Sequence, residues 1–230
     1  MTDLARRTLT ALIYGAAVLV AVAAPPVVFW ILLVIAAILG LMELLRLRTG
    51  RSSIALGAMF FLGLAALGAL RSFGANGARQ GTSEWIPVWL LLVLLPTWSA
   101  DVVAYLIGSA VGRRRLAPRI SPGKTWEGTI AGFVACIMVA VAVGTAFGLS
   151  RSPTTIVAIG LGPAGLAGDL FESYVKRRAG VKDSGTILPG HGGILDRLDS
   201  LTAAALFALV VEGVYGLSQL GSEGGLYERF

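Results

Sequence analysis

Long apolar runs follow one another along this chain, and they restrict its fold more than any other feature. Seven runs extend approximately over residues 9–24, 27–45, 54–70, 86–111, 128–149, 154–175 and 201–220. A helix needs about 20 apolar residues to cross the hydrocarbon core of a bilayer, whereas a membrane β-barrel uses alternating segments of about ten. The sequence therefore predicts an all-α polytopic membrane protein with about seven transmembrane helices, and nine at most.

The composition agrees with a membrane protein and disfavours other classes. Hydrophobic residues make up 56% of the 230 residues, mean hydropathy is +0.79, and only 14% of residues are charged, against about 25% in soluble domains. The net charge of +6 accompanies no nucleic-acid recognition motif, so we assign it to topology and anionic lipid. Cys136 is the single cysteine, so no internal disulfide can form, and we expect it to be a small buried hydrophobic residue.

The basic residues predict which loops face the cytoplasm. Cytoplasmic loops are enriched in Lys and Arg, and seven crossings place the basic residues of segments 6–7, 46–51, 113–124 and 173–199 on one face. The run over 86–111 contains Pro96, and we favour one kinked helix over two short ones, because two crossings would move segment 46–51 to the other face. We therefore expect a multi-pass protein of the cell inner (plasma) membrane with its polar site facing the cytoplasm.

The N-terminal part of the chain supports two further predictions. Arg6 and Arg7 precede an apolar run that ends at Ala24, as in a secretion signal, but Pro25-Pro26 and a second apolar run follow at once, which favours a hairpin of two uncleaved helices. The glycine-containing segment 71–85 is predicted to be an exposed loop. We divide the chain into N-terminal transmembrane helices over 1–85 and a transmembrane region over 86–230, for which the polar residues described below predict a catalytic role; this region contains a signature loop at 173–199.

This signature loop is unusually polar for so apolar a chain. It holds five of the 19 Lys and Arg residues, three of the 13 acids and the only histidine. The glycines around His191 allow positive φ and close approach of a phosphate to the backbone. His191 either contacts phosphate, transfers a proton or only bonds its own loop, and Asp183 either takes part in the chemistry or pairs with Lys182. The loop predicts a polar site at the membrane surface.

Acidic side chains are expected on the inner face of the helix before this loop. Asp169, Glu172, Ser173 and Lys176 follow the spacing i, i+3, i+4, i+7 and share one face. An acid so near the bilayer costs several kcal/mol unless it is paired or bound, which favours a functional role over a structural salt bridge to an arginine. A stripe of small residues on the same helix predicts close packing against a neighbour: Gly160, Ala164 and Gly168.

Further carboxylates lie on two other predicted helices. Asp101, Tyr105 and Gly108 share a face inside the membrane, and Asp196 and Asp199 share a face at the start of the last helix. Several carboxylates with one histidine favour Mg²⁺ or Mn²⁺ over zinc. Carboxylates for a metal beside lysines and arginines are typical of phosphoryl-transfer sites.

Two glycine-rich fragments resemble nucleotide motifs by letter only. Gly-Lys-Thr at 123–125 lacks the P-loop glycine five positions earlier, where Pro118 stands, and the segment 160–165 has no preceding strand. Neither fragment therefore predicts a soluble nucleotide-binding fold.

The arginines at 113, 114, 115 and 119 are interpreted as topology anchors rather than ligands.

The polar residues as a set resemble the signature of the phosphatidate cytidylyltransferase (CDP-diacylglycerol synthase) family. The resemblance covers roughly residues 95–205 and includes Gly168-Asp169-Leu170, Asp101 with Tyr105, and the segment 121–128; the first 90 or so residues match only in being hydrophobic. Its signature residues here are Ser173, Lys176, Arg177, Lys182, Asp183, Ser184, Gly185, Pro189, His191, Gly192, Gly193, Asp196, Arg197 and Asp199.

The resemblance implies that CTP and phosphatidate react to give CDP-diacylglycerol and pyrophosphate. The implied cofactor is Mg²⁺ or Mn²⁺, and a second, monovalent cation could assist. A homodimer is compatible with the small-residue faces. The implied metal ligands are Asp169, Asp196 and Asp199, and the implied catalytic residues are Asp169, Asp196, Lys176, Asp183 and His191. The implied substrate-binding residues are Lys124, Ser121, Arg177, Lys182, Ser173, Arg197, Asp101 and Tyr105.

Two other functions stay open from the residues alone. Intramembrane acids such as Asp101, Asp169 and Asp196 also line ion paths in transporters and channels. A polyprenol kinase that uses CTP would need similar phosphate-binding groups. A CDP-alcohol phosphotransferase is disfavoured, because its cluster of aspartates, which combines an Asp-Gly pair with an Ala-Arg, is not found in the sequence.

Overall fold

The computed structural model describes residues 13, 15–47, 50–72, 86–185 and 192–224, the last eight of these by their backbone only. Residues 15–23 are helical and are followed by six long helices and one short hairpin. The helices are α1 (Pro26–Leu47), α2 (Arg51–Ser72), α3 (Val88–Val111), α4 (Trp126–Phe147), α5 (Arg151–Arg178) and α6 (Leu195–Gly224). The strands β1 (Arg115–Ala117) and β2 (Ser121–Thr125) pair antiparallel between α3 and α4.

All six helices are long and apolar enough to cross a membrane, so the predicted all-α, polytopic membrane fold is confirmed. The run over 86–111 forms one helix with Pro96 inside it, as predicted. Proline has no N–H for the helical ladder. Near it, the hydroxyl of Thr97 donates to the carbonyl of Val93 at 2.7 Å, and the hydroxyl of Ser99 donates to the carbonyl of Pro96 at 2.7 Å. The first predicted run includes residues 1–12, which lie outside the described residues, so the total number of spans stays a prediction.

Small residues set the spacing between the helices around the polar loop. A Cβ atom added at Gly168 would lie 2.5 Å from Ala203 Cβ, and one at Gly160 would lie 2.1 Å from Phe207 Cζ, both on α6. Because real Cβ atoms do not approach so closely, α5 and α6 can pack here only through glycine. Gly160 and Gly168, two of the three residues of the predicted small-residue stripe on α5, therefore contact α6 as predicted.

Two local features differ from the sequence expectations. Arg71, expected in an exposed loop, instead lies in the last turn of α2 with 6% exposure, and its Nη2 donates to the carbonyl of Ala24 at 2.7 Å. That carbonyl follows the helical segment 15–23, so the guanidinium satisfies an acceptor that this helix leaves unpaired. The hairpin was not predicted, since its strands are only three and five residues long; it carries Lys124 to the mouth of a cavity.

Candidate active site

A cavity of about 720 Å³ lies where the hairpin and the loop after α5 meet the ends of the membrane helices. Its walls come from α3, α4, α5, α6 and both strands. Many of the predicted site residues lie in this wall although they are distant in sequence. They are Asp101, Tyr105, Ser121, Lys124, Asp169, Lys176, Asp183, Asp196, Arg197 and Asp199.

One pair of opposite charges stands at the more open side of the cavity; we call Lys124 and Asp169 the outer pair. Lys124 Nζ lies 2.5 Å from Asp169 Oδ2, and the two side chains are 26% and 23% exposed. Burial alone would lower the pKa of Lys124, but the ion pair and hydrogen bond with Asp169, and the charges of Asp101 and Asp199, outweigh it and raise that pKa. The ammonium group therefore stays protonated at neutral pH.

A second set of charges is deeper; we call Lys176, Glu172 and Asp196 the inner cluster. Lys176 Nζ donates to Glu172 Oε2 at 3.3 Å and forms a shorter contact with Asp196 Oδ1. The lysine and aspartate side chains are only 10% and 7% exposed. Because α5 carries the lysine and glutamate and α6 carries the aspartate, the inner cluster joins the two helices by charge.

Asp196 also holds the loop that leads into α6. Its Oδ2 accepts hydrogen bonds from the backbone N–H of Ser184 at 3.0 Å, the hydroxyl of Ser184 at 3.0 Å and the backbone N–H of Gly193 at 2.7 Å. Gly192 has φ +79°, and a Cβ there would lie 2.5 Å from the same carboxylate. The glycines of the signature thus let the backbone fold tightly over Asp196.

Asp199 and Asp101 are connected through Ser200. The backbone N–H of Ser200 donates to Asp199 Oδ1 at 2.7 Å, and its hydroxyl donates to Asp101 Oδ2 at 3.3 Å. Carboxylates from α3, α5 and α6 therefore face the same cavity. Glu172 on α5 is a further buried acid, and within the described part of the chain its Oε1 receives no hydrogen bond.

Three other predicted site residues do not line the cavity. Ser173 is buried behind Asp169, to which it donates at 3.4 Å. Arg177 is exposed and donates to the carbonyls of Ile120 and Val181, each at 3.1 Å. Lys182 is exposed and does not line the cavity, and His191 lies outside the described residues. Their roles in binding or catalysis stay predictions.

Glu43 on α1 contacts this site and was missed in the sequence analysis. It is 0% exposed and accepts hydrogen bonds from Ser184, Ile194 and Leu195. The signal that could have found it is an acid inside the apolar run over 27–45, since such an acid is costly and usually functional. The positions of its partners could not be derived from local patterns.

The donor atoms suit a hard cation in their chemistry. Carboxylate oxygens are the ligands that Mg²⁺ prefers, several line one cavity, and none of the described residues donates a hydrogen bond to the buried Glu172 Oε1. Among the described residues, however, no three His, Cys, Asp or Glu side chains are already arranged around a metal position. Asp169 and Asp196 are paired with lysines instead, so a bound cation would share these carboxylates with ammonium groups.

Comparison with known proteins identifies a family for the chain that carries this cavity. A family model described as "Cytidylyltransferase family" matches residues 58–214. This chain belongs to the cytidylyltransferase family. The match includes every cavity residue named above, and the resemblance drawn from the signature residues is confirmed at the family level.

Several curated relatives of the family carry a more specific name. Proteins named phosphatidate cytidylyltransferase from Haemophilus influenzae and Pseudomonas aeruginosa are 45% and 47% identical to this chain over 125 and 118 residues, covering 51% and 50% of it and 43% and 44% of the relatives. The protein of the same name from Brucella abortus is 36% identical over 172 residues, 73% of this chain and 60% of the relative. The chain thus spans roughly half the length of these relatives.

Proposed function

We propose that this protein transfers the cytidylyl group of CTP to phosphatidate, forming CDP-diacylglycerol and pyrophosphate. The observation that carries the proposal is the pair of lysine–aspartate contacts, Lys124 with Asp169 and Lys176 with Asp196, in one cavity of a cytidylyltransferase-family chain. The names of the relatives support the choice of phosphatidate as acceptor.

The walls of the cavity suit a substrate with a charged head and an apolar body. Lysines and Arg197 line it together with apolar groups from the membrane helices, including Ala104, Phe133 and Leu161. Phosphate groups bind where cationic side chains converge, and acyl chains are accommodated by apolar surface. We therefore place the triphosphate and the phosphatidate headgroup on the side of the lysines.

The reaction we propose is a single in-line displacement. A phosphatidate oxygen forms a bond to the α-phosphorus of CTP while the bond from that phosphorus to the oxygen bridging to the β-phosphate breaks, and pyrophosphate leaves with the electron pair. A phosphate monoester is largely ionised near neutral pH, with a second pKa of about 6, so no strong base is required. Positioning by Lys124, Lys176 and Arg197 and neutralisation of phosphate charge supply most of the catalysis.

A divalent metal belongs to this proposal. Asp169, Asp196 and Asp199 would hold Mg²⁺ or Mn²⁺, which when bound supplies neutralisation of the triphosphate charge. We also propose that the cavity opens to the cytoplasmic side of the inner membrane, because the basic residues at 113–115, 119, 124 and 176–178 surround that end of the helices.

Labelled CTP tests the proposal. Purified protein in detergent is incubated with phosphatidate, Mg²⁺ and CTP labelled at either the α- or the γ-phosphate. We expect α-label in the lipid fraction and pyrophosphate in the aqueous fraction. Transfer of γ-label would instead identify a kinase, and no transfer combined with ion flux across liposomes would identify a transporter.

A further inference from the structure

A buried carboxylate on α1 contacts the loop and the helix that carry Asp196. Glu43 Oε2 accepts hydrogen bonds from Ser184 Oγ at 2.9 Å and from the backbone N–H of Leu195 at 3.0 Å, and its Oε1 accepts from the backbone N–H of Ile194 at 2.9 Å. These donors are 141 to 152 residues away in sequence. Glu43 also lies outside the range matched by the family model, 58–214.

Two of these contacts cap α6 from another helix. The first N–H groups of a helix lack acceptors within it and carry the positive end of its dipole. Leu195 is the first residue of α6, and Ile194 precedes it. A carboxylate that accepts from both N–H groups fixes where α6 begins, and this helix presents Asp196 and Asp199 to the cavity.

The third contact leads directly to Asp196. The hydroxyl of Ser184 lies within hydrogen-bond distance of Glu43 Oε2 and of Asp196 Oδ2, at 2.9 and 3.0 Å. A hydroxyl has one hydrogen to donate, so the two carboxylates share it, and the position of Ser184 Oγ depends on both of them. Any displacement of Glu43 is transmitted through Ser184 to the carboxylate that binds Lys176.

Two signature glycines are explained by the same side chain. A Cβ atom at Gly185 would lie 2.5 Å from Glu43 Oε1, and a Cβ atom at Gly193 would lie 2.4 Å from Glu43 Oε2. Neither position could hold a larger residue while Glu43 keeps its place. The signature loop is therefore built around the carboxylate of α1.

We propose that Glu43 is a positioning residue of the active site, which sets the start of α6 and the orientation of Asp196 without contacting substrate. Glu43 is not among the residues that line the cavity. The expected effect on turnover rests on the proposed function, whereas the expected effect on the backbone of α6 does not.

The first test measures the backbone directly. Glu43→Gln keeps the size of the side chain but replaces one acceptor oxygen with an NH₂ group that faces N–H donors. Hydrogen–deuterium exchange in detergent, followed by mass spectrometry of peptides covering 192–199, should become at least tenfold faster. The matched control is Glu212→Gln, a glutamate on α6 outside the cavity lining, which should leave exchange of these peptides unchanged.

The second test measures turnover of the folded protein. In Glu43→Gln we expect kcat to fall at least tenfold while KM for CTP changes less than threefold, because the lysines stay in the cavity. Ser184→Ala should lower kcat in the same way, and the double variant should lose less than the product of the two single losses. If Glu43→Gln gives no folded protein, Ser184→Ala decides alone: a tenfold lower kcat supports the proposal and an unchanged kcat overturns it.

The outcomes separate this inference from the proposed function. Unchanged exchange and unchanged kcat in a folded Glu43→Gln protein would overturn the positioning role and leave cytidylyl transfer intact. If the unaltered protein makes no CDP-diacylglycerol, the proposed function fails, and the exchange measurement still decides whether Glu43 holds α6. Loss of stability with normal kcat in the folded fraction would reduce Glu43 to a structural role and so overturn the proposal.

Discussion

The outer pair and the inner cluster use the same residue types in different surroundings. Lys124 and Asp169 are about a quarter exposed, and Lys124 lies on a short hairpin. Lys176 and Asp196 are nearly buried, and the aspartate also accepts three hydrogen bonds from Ser184 and Gly193. The outer pair can open at little cost, since exposed ion pairs contribute about 0–1 kcal/mol, whereas the inner cluster cannot be broken without leaving a buried charge.

This difference suggests a division of work within the cavity. The outer pair can exchange its partner for an incoming phosphate, so its lysine is available to substrate. The inner cluster fixes the positions of α5, α6 and the signature loop relative to one another, so Asp196 is held in one place. Variants of the two sets of charges test this division.

Asp196→Asn should damage both stability and reaction. Removing one partner of a buried ion pair costs about 3–5 kcal/mol, because Lys176 would keep a buried charge beside Glu172 alone. We expect a matching fall in the free energy of unfolding, measured by denaturant titration in detergent, and no detectable CDP-diacylglycerol. Asp183→Asn is the control for stability, since Asp183 is exposed. Normal stability of Asp196→Asn would mean that the inner cluster does not hold α5 and α6 together.

Asp169→Asn should abolish product formation with little effect on stability. The outer pair is partly solvated, so its loss should change the free energy of unfolding by less than about 1 kcal/mol. The combination of lost labelling from α-labelled CTP and an unaltered unfolding curve would distinguish it from Asp196→Asn. Near-normal turnover would remove Asp169 from the reaction centre.

Lys124→Met should weaken turnover without abolishing it. Loss of one charge-assisted contact to phosphate costs about 1.5–3 kcal/mol, a decrease in kcat/KM of about 10- to 150-fold. Lys124→Arg, which keeps the charge, should lose less. If kcat/KM falls equally in Lys124→Met and Lys124→Arg, the contact depends on the shape of the lysine side chain and not on its charge.

The pH dependence of the charge on Lys124, and so of its contacts with Asp169 or phosphate, follows from the raised pKa of Lys124. A raised pKa in the folded state means that the outer pair is intact below the unfolded pKa and is lost only as pH rises through the folded value. Titration of kcat/KM from neutral pH upward should therefore show no loss from Lys124 until the pH exceeds the ordinary lysine value of about 10.4. A lysine-dependent fall near pH 8, absent in Lys124→Arg, would contradict the assigned pairing.

Sequence patterns predicted the features that depend on local periodicity. The helical spacing of Asp169 and Lys176 placed both on the face that lines the cavity, and the glycine stripe of α5 predicted its contact with α6. The run over 86–111 was long enough to read as one helix despite Pro96. Each of these follows from spacing along a single helix.

The remaining features depend on contacts between distant segments. Glu43 and Ser184 are 141 residues apart, and no period within α1 indicates which loop the acid meets. Arg71 lies in a helix and not in a loop, and its partner is the carbonyl of Ala24, 47 residues earlier. The pairing of Lys124 with Asp169 likewise required the hairpin to fold back over α5.

Arg177→Ala should change activity only slightly, and it tests how far the signature residues share one role. The resemblance implies that Arg177 binds substrate, but its guanidinium donates to the carbonyls of Ile120 and Val181. Exposed hydrogen bonds of this kind contribute about 1 kcal/mol, so we expect kcat/KM to fall less than about fivefold. A hundredfold loss of kcat/KM in Arg177→Ala, with near-normal kcat/KM in Arg177→Lys, would instead make the arginine a direct phosphate ligand. The substrate-binding side of the cavity would then extend from the outer pair to the end of α5.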